Sequence, residues 1–253
     1  MAKVLVTGAN RGIGLELCRQ LAARGEEVIA VCRNSSAELD ALGARVVTGV
    51  DVASGESVAQ LARQLVGMKL DWLINNAGIS QRDLCVDTDL EVYRNLLEVD
   101  VLGQIALTKC VLPLMQNRGS GHIAVTSSVA GKIGAPYRTG YCAAKHAVMG
   151  FFDALRAEVA RQGIRVTTIT PGFVQTDISV NALRGDGTNE FWRYDIAGDL
   201  WEPDAVADLP ATALVGDGGA LVSTGSLLYA LEGNGTNNFW RYDIANDLWS
   251  AMS

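Results

Sequence analysis

Six short apolar runs, "KVLVT", "EVIAV", "ARVVTGV", "DWLIN", "HIAVTSS" and "IRVTTIT", punctuate residues 3–170, and the stretches between them have the period and length of amphipathic helices. A run that is apolar at nearly every position has to be buried on both faces. A helix between consecutive runs carries the chain back, so that successive strands lie parallel. The expected architecture is α/β, a doubly wound parallel sheet covered by helices on both sides. Ligands of such sheets bind beyond the carboxyl ends of the strands, so the residues just after each run are the ones to read for chemistry.

The first run ends in Thr7-Gly8-Ala9-Asn10-Arg11-Gly12-Ile13-Gly14 and passes directly into a helical pattern. Glycines there let the backbone turn sharply and approach a pyrophosphate, while a helix N-terminus offers unpaired N–H groups and partial positive charge. A glycine cluster alone makes ordinary turns; placed between a strand and a helix it points to a dinucleotide, with Gly8, Asn10, Arg11, Gly12, Ile13 and Gly14 in contact with it. The second run ends "VIAVCRN", with Cys32 and Arg33 where an acid would meet a ribose 2′-hydroxyl. Arg33, helped by Arg11, can pair instead with a 2′-phosphate, so the expected cofactor is NADP. Asp51, at the end of the third run, either accepts from the adenine amino group or serves a turn or helix cap.

After the fourth run comes "NNAG", Asn75 to Gly78, and after the fifth come Ser128 and "YCAAK", Tyr141 to Lys145. Tyr141 and Lys145 are one helical turn apart and share a face. A tyrosine, with an ordinary pKa of about 10, is a poor proton donor and acceptor at neutral pH. A lysine ammonium about 4 Å away, at an effective dielectric of about 20, supplies on the order of 4 kcal/mol, enough to bring it down by up to about three units before burial is subtracted. Singly, these residues read as a packed aromatic, a solvated charge and a loop hydroxyl. Together with the glycine loop, "NNAG" and "TPGFVQT" after the sixth run, they form a pattern with few false positives.

Residues 1 to about 187 resemble a short-chain dehydrogenase/reductase on TGxxxGIG at 7–14, NNAG at 75–78, Ser128, YxxxK at 141–145 and PG at 171–172. "LTKCVLPLM" and "SSVAGKIGAPYRTGYCAAKHAVMGFFDALRAEV" are similar to the branch that reduces steroid, retinoid and other lipophilic carbonyls. The resemblance implies a Rossmann sheet and hydride transfer between a nicotinamide and a carbonyl or alcohol. In that reading Tyr141 is the proton donor, Ser128 holds the carbonyl oxygen, and Lys145 tunes Tyr141 and binds the ribose. Asn76, Ala77, Gly78, Pro171, Gly172 and Thr176 complete the cofactor's surroundings. One residue departs from the family: "EVDVLGQIALT" carries Asp100 where an asparagine is usual. Its charge either favours protonated Lys145 and draws it from Tyr141, or is harmless because the backbone carbonyl does the work.

"GTNEFWRYDIAGDLW", Gly187 to Trp201, recurs with two changes as "GTNNFWRYDIANDLW", Gly235 to Trp249. The tail from Thr188 holds nine of the chain's sixteen aromatics in about a quarter of its length, which marks a compositional boundary. The repeat length and "LLYALEGNGTNNFWRYDIANDLWSAM" resemble a kelch blade. The expected division is therefore a Rossmann core over 1–187 and an all-β, kelch-like partial repeat over 188–253, the near-identical "ALRGDG" and "ALEGNG" marking the scar of a fusion. Leu227 to Leu231 also fits the seventh strand of the resembled enzymes, but Pro210 and the glycines at 216, 218 and 219 argue against the long helix that would precede it.

A single blade cannot bury both its faces, so the tail is expected to drive homo-oligomerisation, or else to fold back as a lid. Net charge of −7 without a basic block argues against nucleic acid and anionic membranes as partners. No apolar run approaches the ~20 residues that span a bilayer, and the strand pattern after Met1 is not that of a signal peptide, so a cytoplasmic enzyme is expected. The five scattered cysteines lack CxxC spacing and read as reduced and mostly buried, with no metal implied. The alternative function is a catalytically impaired scaffold that binds or assembles through its tail.

Overall fold

The computed structural model describes residues 1–172, 174, 176, 178 and 181–185, and in the C-terminal part the strand segments 192–195, 200–203, 220–223, 227–231, 239–243 and 248–252. The chain divides into two compact units, Met1–Thr170 with Thr176–Glu190, and Pro171–Gln175 with Phe191–Ser253.

The first unit holds a six-stranded parallel sheet built from β1 (Lys3–Thr7), β2 (Glu27–Val31), β3 (Arg45–Val47), β4 (Trp72–Asn75), β5 (Gly121–Thr126) and β6 (Ile164–Ile169). Its order is β3-β2-β1-β4-β5-β6. Six helices connect the strands: α1 (Gly12–Ala23), α2 (Ala37–Asp40), α3 (Gly55–Leu65), α4 (Leu90–Leu97), α5 (Gly103–Arg118) and α6 (Thr139–Val159). Side chains alternate across the sheet, and this sorts the core into two layers. Leu5, Ile29, Leu73, Ile123 and Val166 pack with Leu61 and Leu65 of α3, Leu107, Val111 and Met115 of α5, and Phe152 of α6. Val4, Val6, Val28, Ala30, Ile74 and Ala124 pack on the other face with Cys18 and Leu21 of α1 and Leu39 of α2.

Two strands differ from their sequence reading. β3 stops at Val47, and Gly49 turns the chain at φ +74° with its N–H on the Arg33 carbonyl at 2.9 Å, so Asp51 lies past a turn and not on a strand end. β6 alternates buried Ile164 and Val166 with exposed Arg165 and Thr167, unlike the doubly covered β1. Among the described residues it is an edge strand of this sheet, which accounts for the polar alternation.

In the second unit, β7 (Trp192–Asp195) pairs with β8 (Leu200–Pro203), and β9 (Ala220–Ser223), β10 (Leu227–Leu231), β11 (Phe239–Asp243) and β12 (Leu248–Met252) form an antiparallel sheet in the order β12-β11-β10-β9. The duplicated words fold into the same hairpin register: Tyr194 opposes Trp201 and Asp195 opposes Leu200, as Tyr242 opposes Trp249 and Asp243 opposes Leu248. Residues 227–231 pair with β9 and β11, not as a seventh strand of the parallel sheet. The boundary at 187–188, Pro210, the glycines at 216, 218 and 219, and the side chains of Trp192, Trp201, Trp240 and Trp249 lie outside the described residues. Among the described residues, no helix is long and apolar enough to cross a membrane.

Candidate active site

The strand order reverses between β1 and β4, and the loops leaving their carboxyl ends meet there. Thr7 is the pin: its Oγ1 accepts from the Asn76 and Ala77 N–H groups, both at 3.0 Å. Asn76 Nδ2 donates to the Thr7 carbonyl at 3.1 Å, and Thr126 Oγ1 donates to Asn76 Oδ1 at 3.2 Å, so one amide staples the ends of β1, β4 and β5. Gln104 Nε2 of α5 donates to the Ala77 carbonyl at 3.0 Å and holds the same segment from behind.

The glycine loop needs its glycines for two separate reasons. Gly8 has φ +63°, which side chains rarely adopt, whereas Gly14 is a matter of space: a Cβ there would come within 2.1 Å of the Gly8 carbonyl oxygen and 2.6 Å of Asn76 Nδ2. Helix α1 then begins at Gly12 after Arg11, with no side-chain cap and no acid in its first turn, whereas α2 and α3 are capped by Ser36 and Ser54. An uncapped N-terminus behind a glycine turn fits an anionic ligand such as a pyrophosphate. Asn10 and Ile13 are half-buried in that turn, Arg11 is exposed, and a Cβ on Gly12 would stand 3.4 Å from the Thr176 side chain. Arg33, just past β2, is also exposed and makes no ion pair among the described residues. Asp51 Oδ1 accepts the Ala53 N–H at 3.0 Å, which is the turn role allowed for it. Pro171 and Gly172 follow β6 after Thr170.

Helix α6 carries both Tyr141 and Lys145, and both are buried. The lysine Nζ lies 5.5 Å from the centre of the Tyr141 ring. It also donates to the Thr126 carbonyl at 3.3 Å and forms an ion pair with Asp100 Oδ2 at 3.0 Å, close in distance but off the hydrogen-bonding direction. Asp100 sits in a π-helical turn (Glu98–Leu102) between α4 and α5, with its Oδ1 accepting the Ile79 N–H at 2.7 Å. A π-turn widens the helix locally and often marks a functional position. Here it accompanies the inward placement of residue 100 beneath Gly78, whose added Cβ would meet the Asp100 carboxylate and Lys145 Nζ at 3.3–3.4 Å.

Electrostatics follow from complete burial of the pair. Desolvation pushes the Asp100 carboxyl up, opposed by Lys145 and by the Ile79 N–H. Burial alone would push Lys145 down, but Asp100, and then Tyr141, outweigh it and hold the ammonium above the ordinary lysine range. The charged pair is the state that the 3.0 Å contact and the N–H donation support. The structure has the Asp100 carboxylate engaging the lysine.

Ser128 ends the β5 loop half-buried, and its Oγ accepts the Ala130 N–H at 3.1 Å, which leaves the hydroxyl proton to donate to a carbonyl oxygen. The neighbouring Ser127 Oγ donates to the Lys145 carbonyl at 3.2 Å and presses this loop against α6. Ser127 and Gln104 were not legible as site residues, because hydroxyls and amides that serve backbone groups carry no spacing signal. A cavity of about 400 Å³ bordered by Asp89, Glu91, Arg94 and Glu98 contains none of these residues.

The sequence profile of the family described as short chain dehydrogenase matches residues 2–186. Dehydrogenase/reductase SDR family member 7B of Bos taurus is 41% identical over 202 residues, covering 74% of this chain and 62% of that protein. Dehydrogenase/reductase SDR family member 7 of Homo sapiens is 42% identical over 201 residues, covering 73% and 59%. The match thus spans about three-fifths of the length of these curated relatives. A crystal structure of a short-chain dehydrogenase from Streptomyces avermitilis superposes with a TM-score of 0.66 at 32% identity, covering 70% of this chain and 69% of that one.

Proposed function

Because this chain belongs to the short-chain dehydrogenase/reductase family, an oxidoreductase family with a nicotinamide cofactor, we propose that it transfers a hydride between NADP(H) and a carbonyl or alcohol substrate. The observation that carries the reading is the buried Tyr141–Lys145 pair on one face of α6, beside the glycine loop and the Asn76–Gly78 segment. When bound, the nicotinamide supplies or accepts the hydride. The uncapped start of α1, with Gly8, Asn10, Gly12, Ile13 and Gly14, would hold the pyrophosphate, and Thr176, next to Gly12, would serve the cofactor as well. Ser128 donates a hydrogen bond to the carbonyl oxygen, keeping its own proton, and fixes the direction of that oxygen. Tyr141 passes a proton to the same oxygen, and Lys145 holds positive charge next to that phenol. Turnover of a panel of simple ketones and aldehydes with NADPH tests the activity; no turnover of any member removes it.

Cofactor choice rests on Arg33, exposed and without an ion pair among the described residues, with Arg11 as its partner. NADPH is expected to bind at least about 10-fold more tightly than NADH, the size of one charge-assisted contact to a 2′-phosphate. Arg33→Ala is expected to reduce that margin with NADH affinity unchanged. Calorimetric dissociation constants check both; equal wild-type affinities would remove the preference for NADP.

The same reading includes a cytoplasmic enzyme of two domains, 1–187 and 188–253, the second kelch-like and assembling identical copies. Among the described residues, β12 and β9 are edge strands of the tail's antiparallel sheet, and this supports assembly, since strand edges pair readily with their own kind. Light scattering on the full chain and on a chain ending at Gly187 is expected to show a lower subunit number after truncation. An unchanged number with lost turnover favours a lid, and an equally oligomeric, active truncation sinks both roles.

A further inference from the structure

Helix α6 begins on a residue poorly suited to a helix start. Arg138 is its N-cap, its side chain makes no cap to the first turn, and no acid stands in that turn. Serine, threonine, asparagine and aspartate satisfy the exposed N–H groups of a helix start, and a cation there opposes their partial positive charge. Helices α2 and α3, by contrast, start on Ser36 and Ser54, whose hydroxyls accept from the first turn. An arginine at this position costs helix stability, and what offsets that cost lies in its contacts.

Those contacts lead to Tyr141. The guanidinium carbon of Arg138 is 5.9 Å from the centre of the Tyr141 ring, and Nη1 donates to Ser80 Oγ at 2.6 Å. Ser80 is buried in the segment that follows Gly78, so the arginine is held from the β4 loop. Lys145 Nζ lies 5.5 Å from the same ring. The phenol therefore has one cation a turn before it in the helix and another a turn after it. The two differ in what cancels them. Asp100 Oδ2 stands 3.0 Å from Lys145 Nζ. Arg138, half-buried, makes no ion pair among the described residues. A hydroxyl orients a guanidinium without neutralising it, and a guanidinium keeps its proton in a protein.

We propose that Arg138 supplies beside Tyr141 the positive charge that the Lys145–Asp100 pair does not. It acts through Tyr141, as a positioning residue, by holding a guanidinium against the ring and stabilising the negative charge left on the phenol oxygen. This rests on the reductase reading above, in which the carbonyl carbon receives the hydride while its oxygen takes the Tyr141 proton; in alcohol oxidation the phenolate takes that proton back. A fixed charge acts more strongly on the state with negative oxygen than on the neutral phenol, so its effect falls on the chemical step and not on substrate binding. Partial exposure screens it, which leaves an expected effect of about 10-fold on kcat.

The test is steady-state kinetics of the full chain with NADPH and a ketone that the wild type reduces, for Arg138→Gln and Arg138→Lys, with Tm recorded for each. Arg138→Gln keeps an amide donor and removes the charge. Its kcat is expected to fall about 10-fold with KM changed less than about 2-fold, and the solvent deuterium isotope effect on kcat to rise as proton transfer becomes more rate-limiting. Arg138→Lys keeps the charge and is expected to recover most of kcat. Neither glutamine nor lysine is a worse N-cap than arginine, so Tm is expected to stay near the wild-type value in both. An unchanged kcat in Arg138→Gln overturns the proposal. So does an equal loss in both variants, which would tie the effect to the shape of the guanidinium or to damage to the fold, and so does a loss confined to KM, which would make Arg138 a substrate contact. A wild type that turns over no carbonyl removes the reductase reading and this proposal with it, whereas turnover indifferent to the charge at residue 138 removes the proposal alone.

Discussion

Replacing Tyr141 by phenylalanine is expected to lower kcat at least the ~10²-fold typical of losing a general acid, with NADPH affinity nearly unchanged. The ring is buried against Val92 and Leu96, and phenylalanine keeps that packing while deleting only the hydroxyl. The fold and the glycine loop are therefore untouched, and the lost atom is the one that moves the proton. Lys145→Ala is the informative companion. Its Nζ engages Asp100 and the Thr126 carbonyl, so deletion empties a buried polar site beside the cofactor segment and is expected to damage turnover and NADPH binding together. Steady-state kinetics and cofactor titration on both variants check this. Most of the activity surviving in Tyr141→Phe would mean that the proton comes from another group, and the Tyr141 mechanism would fall.

Asp100→Asn is expected to act on rate and on stability. In the wild type the carboxylate neutralises Lys145, so that pair gives the surroundings of Tyr141 little net positive field. Removing one charge at such range is worth on the order of 2 kcal/mol at an effective dielectric of about 20, so kcat near pH 7 is expected to rise several-fold and the pH–rate profile to move toward lower pH. An unchanged profile would show that the carboxylate is harmless, and a loss of rate that it has been recruited. The amide oxygen still accepts from Ile79, but the buried ammonium loses its partner, at a cost of about 3–5 kcal/mol at neutral pH.

The slope of stability with pH distinguishes the two states of Lys145. In the wild type its raised value contributes stability below the unfolded lysine pKa of about 10.4, lost as pH rises through the folded value. Without Asp100, burial lowers Lys145 instead, so the unfolded chain binds more protons between the lowered value and about 10.4, and stability rises with pH across that window. Urea midpoints of both proteins from pH 7 to 10 measure this directly. Parallel curves would show that Asp100 does not hold the proton on Lys145.

Tyr141 and Lys145 were legible from their spacing, because residues four apart on a helix share a face whatever surrounds them. The glycine loop was legible for a similar reason: a strand, a glycine turn and a helix are all local. Asp100 was legible only as an unexpected residue type, with two readings open. What it touches depends on a π-turn and on a lysine 45 positions later, and neither is written into local periodicity.

The apolar runs by themselves determined the layered α/β class, since their length and spacing leave few other ways to bury them. The duplicated words likewise determined that both tail copies would pair in one register, because hairpin pairing is settled within a dozen residues. Only the tertiary structure decided where β3 stops, that β10 joins β9 and β11, and that a buried carboxylate stands against the lysine of α6. These outcomes depend on contacts between residues far apart in the chain, whose energies are set by burial and by partners that no short window of sequence contains.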